Sequence, residues 1–236
     1  MSKKANIYIT GDTHGRFEKV VNFCDYHKTN KNDIMIILGD AGINYYGYVR
    51  DYELKKMLSK LPITLFCIHG NHEERPFNIG SYKEVEWHGG KVYIEEEFDN
   101  IIFAKDGEIY DFNGSQTIVI GGAYSVDKEY RILRGWKWFP DEQPSIEIKE
   151  YVEKKLATVN WKVDIVLSHT TPYKYRPTEM FLSSIDQSKV DSSTEIWLDK
   201  IEDKLDYDKW YAGHYHCDKI HDKIEIMFNS IKEFNK

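Results

Sequence analysis

The strongest constraint on this chain is a repeated juxtaposition: a short apolar run that reads as a buried strand, then at once side chains able to hold a metal ion. Residues 5–10, 34–38, 63–68, 163–167 and 210–212 supply the runs. The clusters beside them are Asp12-Thr13-His14, Gly39-Asp40, Gly70-Asn71-His72-Glu73, Ser168-His169 and Gly213-His214-Tyr215-His216. In a sheet layered with helices, ligands and catalytic groups collect in the crevice at the strand ends. The five clusters can therefore meet in one cleft.

The donor types narrow the metal. Imidazole nitrogens with carboxylate and amide oxygens, and no thiolate within a cluster, suit manganese or another first-row ion (iron, zinc, nickel, cobalt) better than calcium or magnesium. One carboxylate can bridge two cations roughly 3.5–4 Å apart. Asp40, the only ligand of its cluster, is the natural bridge, whereas Asp12 and His14 can grip one ion across their one-residue gap. His214 and His216 repeat that spacing and serve either one ion together or one ion each.

The ordered series Gly11-Asp12-Thr13-His14-Gly15, Gly39-Asp40, Gly70-Asn71-His72-Glu73, His169 and Gly213-His214-Tyr215-His216 resembles the signature of the calcineurin-like metallophosphoesterases. The resemblance spans nearly the whole chain. It implies one such domain over residues 1–236 and two divalent ions. Asp12, His14, Asp40 and His216 would hold one ion, and Asp40, Asn71, His169 and His214 the other. His72 would protonate the leaving oxygen or contact the phosphate. The implied reaction is hydrolysis of a phosphate mono- or diester by a metal-bridging hydroxide. The chemistry agrees: cations that bind phosphate oxygens and lower the pKa of bound water towards ~7 remove the need for a side-chain nucleophile. Nearby cations lower an imidazole's pKa, so a charged His72 needs an acidic partner. Glu73 is adjacent in sequence and stands as a candidate that can also point away.

One departure bears on substrate. Serine/threonine protein phosphatases and diadenosine tetraphosphate hydrolases follow the second motif with an Asp-Arg-Gly segment that supports the histidine and grips phosphate. Here the chain reads Gly39-Asp40-Ala41-Gly42-Ile43-Asn44-Tyr45, without that Asp or Arg. A phosphoprotein phosphatase is thus the alternative reading, and a non-catalytic metal-binding scaffold another. Arg16 either approaches the phosphate from the first loop or is a surface residue of the following helix. Asn44, Arg131 and Arg134 are further candidate substrate contacts.

A net charge of -7 over 236 residues argues against a broad nucleic-acid surface but not against a small nucleotide or cyclic nucleotide. Cys24, Cys67 and Cys217 are odd in number and widely spaced, as expected of reduced thiols, with packing preferred over metal binding for Cys217. No run approaches the ~18 apolar residues of a membrane span, and the first residues carry no apolar targeting segment, so a cytoplasmic location is expected.

Element patterns point to an α/β fold of two mixed β-sheets packed as a sandwich and flanked by helices, with the metal site at the strand C-terminal ends. Helical spacing covers 16–27, and Tyr48, Tyr52, Met57, Leu58 and Leu61 mark a second helix. Asp106-Gly107 and Asn113-Gly114 read as hairpin turns between strands 101–104, 108–112 and 116–121. A helix over 146–156 follows. Another covers 194–205, with a capping box from Ser192 to Glu195 and an apolar face of Ile196, Ile201 and Leu205. Strands 219–221 and 224–228 close the chain. His27 and His88 read as surface residues, His221 as strand, and His69 as a satisfied core histidine. Two long segments, 123–145 and 171–193, carry aromatics with interleaved arginines. Either they stack a base and neutralise a phosphate, or the tryptophans cap a sheet and the arginines pair with Asp127, Glu129 and Asp141.

Overall fold

A computed structural model describes residues 5–235. The first half runs β1 (Ile7–Thr10), α1 (Glu18–His27), β2 (Ile34–Ile37), α2 (Tyr48–Leu58), β3 (Thr64–Cys67), β4 (Lys83–Trp87), β5 (Gly90–Ile94) and β6 (Ile101–Ala104). Then come β7 (Ile109–Phe112), β8 (Ser115–Ile120), α3 (Lys128–Leu133), α4 (Ile146–Thr158), β9 (Ile165–Ser168) and α5 (Ser193–Glu202). The strands β10 (Lys209–Ala212), β11 (Lys219–His221), β12 (Ile224–Ile226) and β13 (Ile231–Glu233) complete the order.

Alternation along the strands sets the layers. Side chains one residue apart leave opposite faces of a strand, so a strand buried on both sides must serve two cores. Ile7 and Ile9 of β1, Ile34 and Ile36 of β2 and Phe66 of β3 join Val119, Ile165, Leu167 and Tyr211 in the cluster between the sheets. Tyr8, Met35, Ile37, Leu65 and Cys67 face the other way and pack under Val20 and Cys24 of α1 and Leu58 of α2. In the second sheet, Ile118, Ile120, Val166 and Trp210 pack under α4 and α5 through Val152, Leu156, Trp197 and Ile201. The result is helix, sheet, sheet, helix. One sheet has seven strands in the order β13-β1-β2-β3-β6-β5-β4, and the other six in the order β11-β12-β10-β9-β8-β7.

Parallel pairing positions the site. β1, β2 and β3 are parallel neighbours, with Thr10 opposite Ile37 and Ile37 opposite Cys67. In the other sheet β10 lies parallel to β9, with Ala212 opposite Ser168. All five strands therefore end level with their neighbours, and the ligand clusters begin where they end.

Several local expectations fail where tertiary contacts decide. Asn113-Gly114 does join β7 to β8, with φ of 57° and 95°. Asp106-Gly107 forms no hairpin: it carries the chain from β6 in one sheet to β7 in the other, and the Asp106 carboxylate holds the crossing by accepting from Gly121 N (2.7 Å) and Arg75 Nη1 (2.6 Å). A real hairpin, β4–β5, turns at His88-Gly89 with φ of 49° and 86°. The buried face of α2 is Asp51, Lys55 and Leu58, while Tyr48, Tyr52 and Met57 are exposed. Asp51 accepts from Tyr46 N and Gly47 N at the helix start, and Lys55 pairs with Glu95 at 2.6 Å, so both polar residues are satisfied under the helix. The capping box of α5 does not form. Glu195 instead accepts from Thr170 Oγ1, and the Ser192 hydroxyl accepts from Arg176 Nη1; Ile196 is exposed, and Trp197 and Leu198 take the buried face. His69 is buried, but neither ring nitrogen has a hydrogen-bond partner among the described residues, so it is not the satisfied core histidine expected. Cys24, Cys67 and Cys217 are free thiols. No helix among the described residues is long and apolar enough to cross a membrane.

The sheets are also tied electrostatically. The buried Glu225 of β12 accepts from Lys209 of β10 at 2.9 Å and pairs with Lys232 of β13, in the opposite sheet. Burial raises the Glu225 pKa, but the two lysines outweigh it and leave the carboxyl below its ordinary range. Glu225→Gln should therefore lower stability by about 1–2 kcal/mol at neutral pH. A depressed folded pKa gives stability that is present above the unfolded value of ~4.3 and lost as pH falls through the folded one. Denaturant titrations should accordingly show the gap between the two proteins closing at acid pH.

Candidate metal centre

The side chains from the five strand ends converge. His14 Nε2 lies 2.8 Å from His216 Nε2, and Asp12 Oδ2 stands 3.7 Å from the first and 3.4 Å from the second. On the other side, Asn71 Oδ1 is 2.8 Å from His169 Nε2 and 3.1 Å from His214 Nδ1, and His169 Nε2 is 3.7 Å from Asp40 Oδ1. Asp40 lies between the groups, with Oδ2 3.9 Å from His14 Nδ1. Metal–ligand bonds of about 2.1 Å put neighbouring ligand atoms roughly 3.0–3.5 Å apart, so these gaps suit shells around ions. Three donors lie mutually close in two sets, Asp12 with His14 and His216, and Asp12 with Asp40 and His169. Asp12 is thus common to both sets, a position the sequence reading gave to Asp40 alone.

The surrounding atoms aim these donors. His169 Nδ1 donates to the Leu38 carbonyl at 2.7 Å, which turns Nε2 towards the site. Asn71 Nδ2 donates to Ser125 Oγ at 2.8 Å, which turns Oδ1 towards the two histidines. Ser125, from the 123–145 segment, carries no motif that would have revealed it. Asp12 Oδ1 accepts from His214 N at 3.0 Å, while its buried Oδ2 has no hydrogen-bond partner among the described residues. A buried carboxylate oxygen without a donor is costly unless a cation meets it. The residues present fit divalent metal on this ground.

Electrostatics points the same way. Burial raises the Asp40 pKa, but His169, His72 and His14 and the His72 N–H outweigh it and hold the carboxyl well below its usual range. Asp12 is likewise held down against burial by His216 and His169. Burial, helped by His169, pushes His214 down to about 3, which keeps its ring neutral, as a ligand must be.

The backbone is shaped for this convergence. His14, Asp40, His214 and His216 have φ of 47°, 47°, 69° and 50°, a left-handed region uncommon for non-glycine residues and most accessible to Asn, Asp and His. His14 N donates to Asp40 O at 2.7 Å and Gly213 N to His169 O at 2.9 Å, so the loops brace one another in pairs. Glu73 turns away from His72 and accepts from Gly70 N and Gly42 N. Burial and the Asp40 charge push its carboxyl up to about 8 against those donors.

Two cavities open on the cluster and meet at His72. One, of about 400 Å³, is walled by Val126, Phe181, Leu182, Ile185 and Tyr215. The other, of about 750 Å³, carries Arg16, Arg50, Arg131 and Lys137. Both long segments thus reach the site. Arg131, from α3, is held through Nε by both oxygens of Asp127 at 2.8 Å, and its Nη2 lies 3.3 Å from His72 Nε2. Asn71 Nδ2 approaches the same His72 nitrogen at 3.1 Å. Both neighbours only donate, so His72 Nε2 accepts and the ring is neutral. Burial, reinforced by Arg131 and opposed by Asp40, lowers the His72 pKa. The cation at this point is therefore Arg131's. Asn44 is buried, accepts from Tyr82 Oη, and lines a different cavity; Arg134 lies over the Tyr130 ring at 5.1 Å. Neither lines the cavities that open on the cluster. Cys217 is half-buried and outside both donor sets.

Close approach makes Gly70 a sharp test. A Cβ there would lie 2.0 Å from Asp40 Oδ1 and 2.2 Å from Asp40 N. Gly70→Ala must displace Asp40, and elemental analysis after dialysis should show affinity for divalent metal reduced roughly 10–100-fold.

Comparisons with known proteins agree with this fold. A crystal structure of TT1561 of Thermus thermophilus superposes with a TM-score of 0.52 at 14% identity, covering 96% of this chain and 89% of that one. A second solved structure gives 0.52 at 12% identity, covering 95% and 90%. At such identities the likeness is one of fold. No curated protein matches the sequence. The calcineurin-like phosphoesterase profile matches residues 5–218, and the chain belongs to that family.

Proposed function

We propose that this phosphoesterase is a dinuclear enzyme that hydrolyses a small phosphate ester, with a nucleotide as the favoured substrate class. The observation that carries the reading is the pair of buried carboxylates among the donors: Asp12 belongs to both mutually close sets, and Asp40 has one oxygen 3.7 Å from His169 Nε2 and the other 3.9 Å from His14 Nδ1. Held there, two divalent cations, manganese first among the candidates, would neutralise phosphate oxygens and lower the pKa of water.

The chain's own groups do the rest. Asp12, His14, Asp40 and His216 are the donors on one side, and Asp40, Asn71, His169 and His214 on the other. Arg131 takes the part of the arginine missing after the second motif: Asp127 fixes its Nε and Tyr45 Oη accepts from Nη1, which leaves the remaining N–H groups of Nη1 and Nη2 for a phosphate oxygen. His72 Nε2 is relieved of its donors when phosphate takes them; the neutral ring would first take a proton from solvent before giving one to the leaving oxygen, and until then Arg131 is the donor at that point. The apolar wall of Val126, Phe181 and Tyr215 suits a base or aryl group better than a peptide backbone with its many donors. That favours a small ester over a phosphoprotein.

The decisive assay offers an aryl monoester, an aryl diester, cyclic nucleotides and a phosphopeptide with added manganese. Wild type should turn over the esters, Asp40→Asn should not, and Arg131→Ala should lose about 10²-fold in kcat/KM while keeping its metal. No turnover from protein with two bound ions would reject the reading in favour of a metal-binding scaffold.

A further inference from the structure

The 750 Å³ cavity has a charge pattern that an ordinary monoester would not use. Arg16, Arg50, Arg131 and Lys137 line it without a single carboxylate, in a chain whose net charge is -7. Arg131 is paired with Asp127, but Arg16, Arg50 and Lys137 make no ion pair with any described residue. Arg50 instead lies over the Tyr46 ring at 5.0 Å. Like charges gathered in a concave surface repel one another and focus the potential felt by an anion. The cavity reaches His14 and His72, so a phosphorus at the metal donors would have this surface on one side. On the other side of His72 lies the apolar cavity, where the Phe181 and Tyr215 rings stack at 6.2 Å and 20°.

We propose that the basic cavity is a subsite for a run of phosphates joined to the scissile phosphorus, so that the substrate is a nucleoside polyphosphate with its nucleoside in the apolar cavity. The inference rests on the phosphoesterase reading and adds the substrate class. Water supplies the oxygen of the new bond to phosphorus. The bond from that phosphorus to the bridging oxygen of the next phosphate breaks, and its electron pair leaves on that oxygen beside Arg131 and His72. The protons of water pass to the two phosphate products, a nucleoside monophosphate and the shortened polyphosphate. The size is right for such a ligand: pockets for small molecules run about 300–1,000 Å³. A nucleic-acid strand would need cations continuing in a stripe beyond the cavity.

Arg50 and Lys137 are exposed, so reversing their charge leaves the core intact. The test compares a nucleoside tetraphosphate with an aryl monoester, using wild type, Arg50→Glu and Lys137→Glu. Each variant should raise KM for the tetraphosphate at least tenfold more than for the aryl ester, with kcat less affected. Calorimetry on metal-free protein gives a second reading that needs no turnover. Inorganic tripolyphosphate should bind at least tenfold more tightly than orthophosphate, and the preference should vanish in both variants. Equal loss for both substrates, or no preference for tripolyphosphate, would overturn the subsite even if the esters are hydrolysed. Tighter binding of a single-stranded oligonucleotide than of tripolyphosphate would overturn it in favour of a nucleic-acid groove. Absence of ester hydrolysis with intact tripolyphosphate binding would retain the subsite and reject the catalytic reading.

Discussion

Two carboxylates, Asp12 and Asp40, are buried side by side where two sheets end, and the rest of the site answers to that fact. Asp40 raises the pKa of Asp12, and burial disfavours both charges. Such a pair persists only if positive charge or strong donors surround it. The protein supplies part of the compensation through backbone N–H groups, His214 to Asp12 and His72 to Asp40. Four histidines, His14, His169, His214 and His216, crowd the pair; burial keeps His214 neutral, while the hydrogen bond to Asp12 raises the pKa of His216. A site that is under-compensated by its own side chains and rich in lone pairs is one that favours divalent metal.

The fold makes this possible at modest cost because the unfavourable groups sit on loops while the apolar packing lies just behind them. Ile36, Leu38, Ile68, Leu167 and Tyr211 fill the space between the sheets just before their chains reach the ligands. Left-handed turns at His14, Asp40, His214 and His216 then redirect each chain within a residue or two. Leu38 serves both purposes: its side chain packs in the core while its carbonyl orients the His169 ring. A candidate ligand set spread over 205 residues of sequence, from Asp12 to His216, is thereby held by short-range geometry at each strand end.

That arrangement explains what could be read from sequence. Asp12, His14, Asp40, Asn71, His169, His214 and His216 were legible because each follows an apolar run, and the structure brings all of them together. The layered α/β class followed from the same runs. What stayed hidden depends on partners remote in sequence. Nothing near Asp106-Gly107 says that it crosses between sheets, since Arg75 and Gly121 hold it there. The buried face of α2 is polar because Lys55 finds Glu95 across the fold, a pairing no helical periodicity encodes.

Arg131 teaches a related lesson. Sequence left open whether the arginines of the 123–145 segment contact substrate or pair with nearby acids. The structure joins the two possibilities: the Asp127 pair, four residues earlier on the turn into α3, is what aims Arg131 at His72. Arg134 lacks such a partner among the described residues and rests on Tyr130 instead. A paired arginine loses less freedom when it meets a phosphate, because its rotamer is already chosen. Its charge is also partly answered by Asp127, which leaves the unpaired Arg16, Arg50 and Lys137 as the larger source of positive potential. On the proposed reading, orientation at the scissile phosphate and attraction of distal charge would fall to different residues, with the border between those tasks at His72, where the two cavities meet.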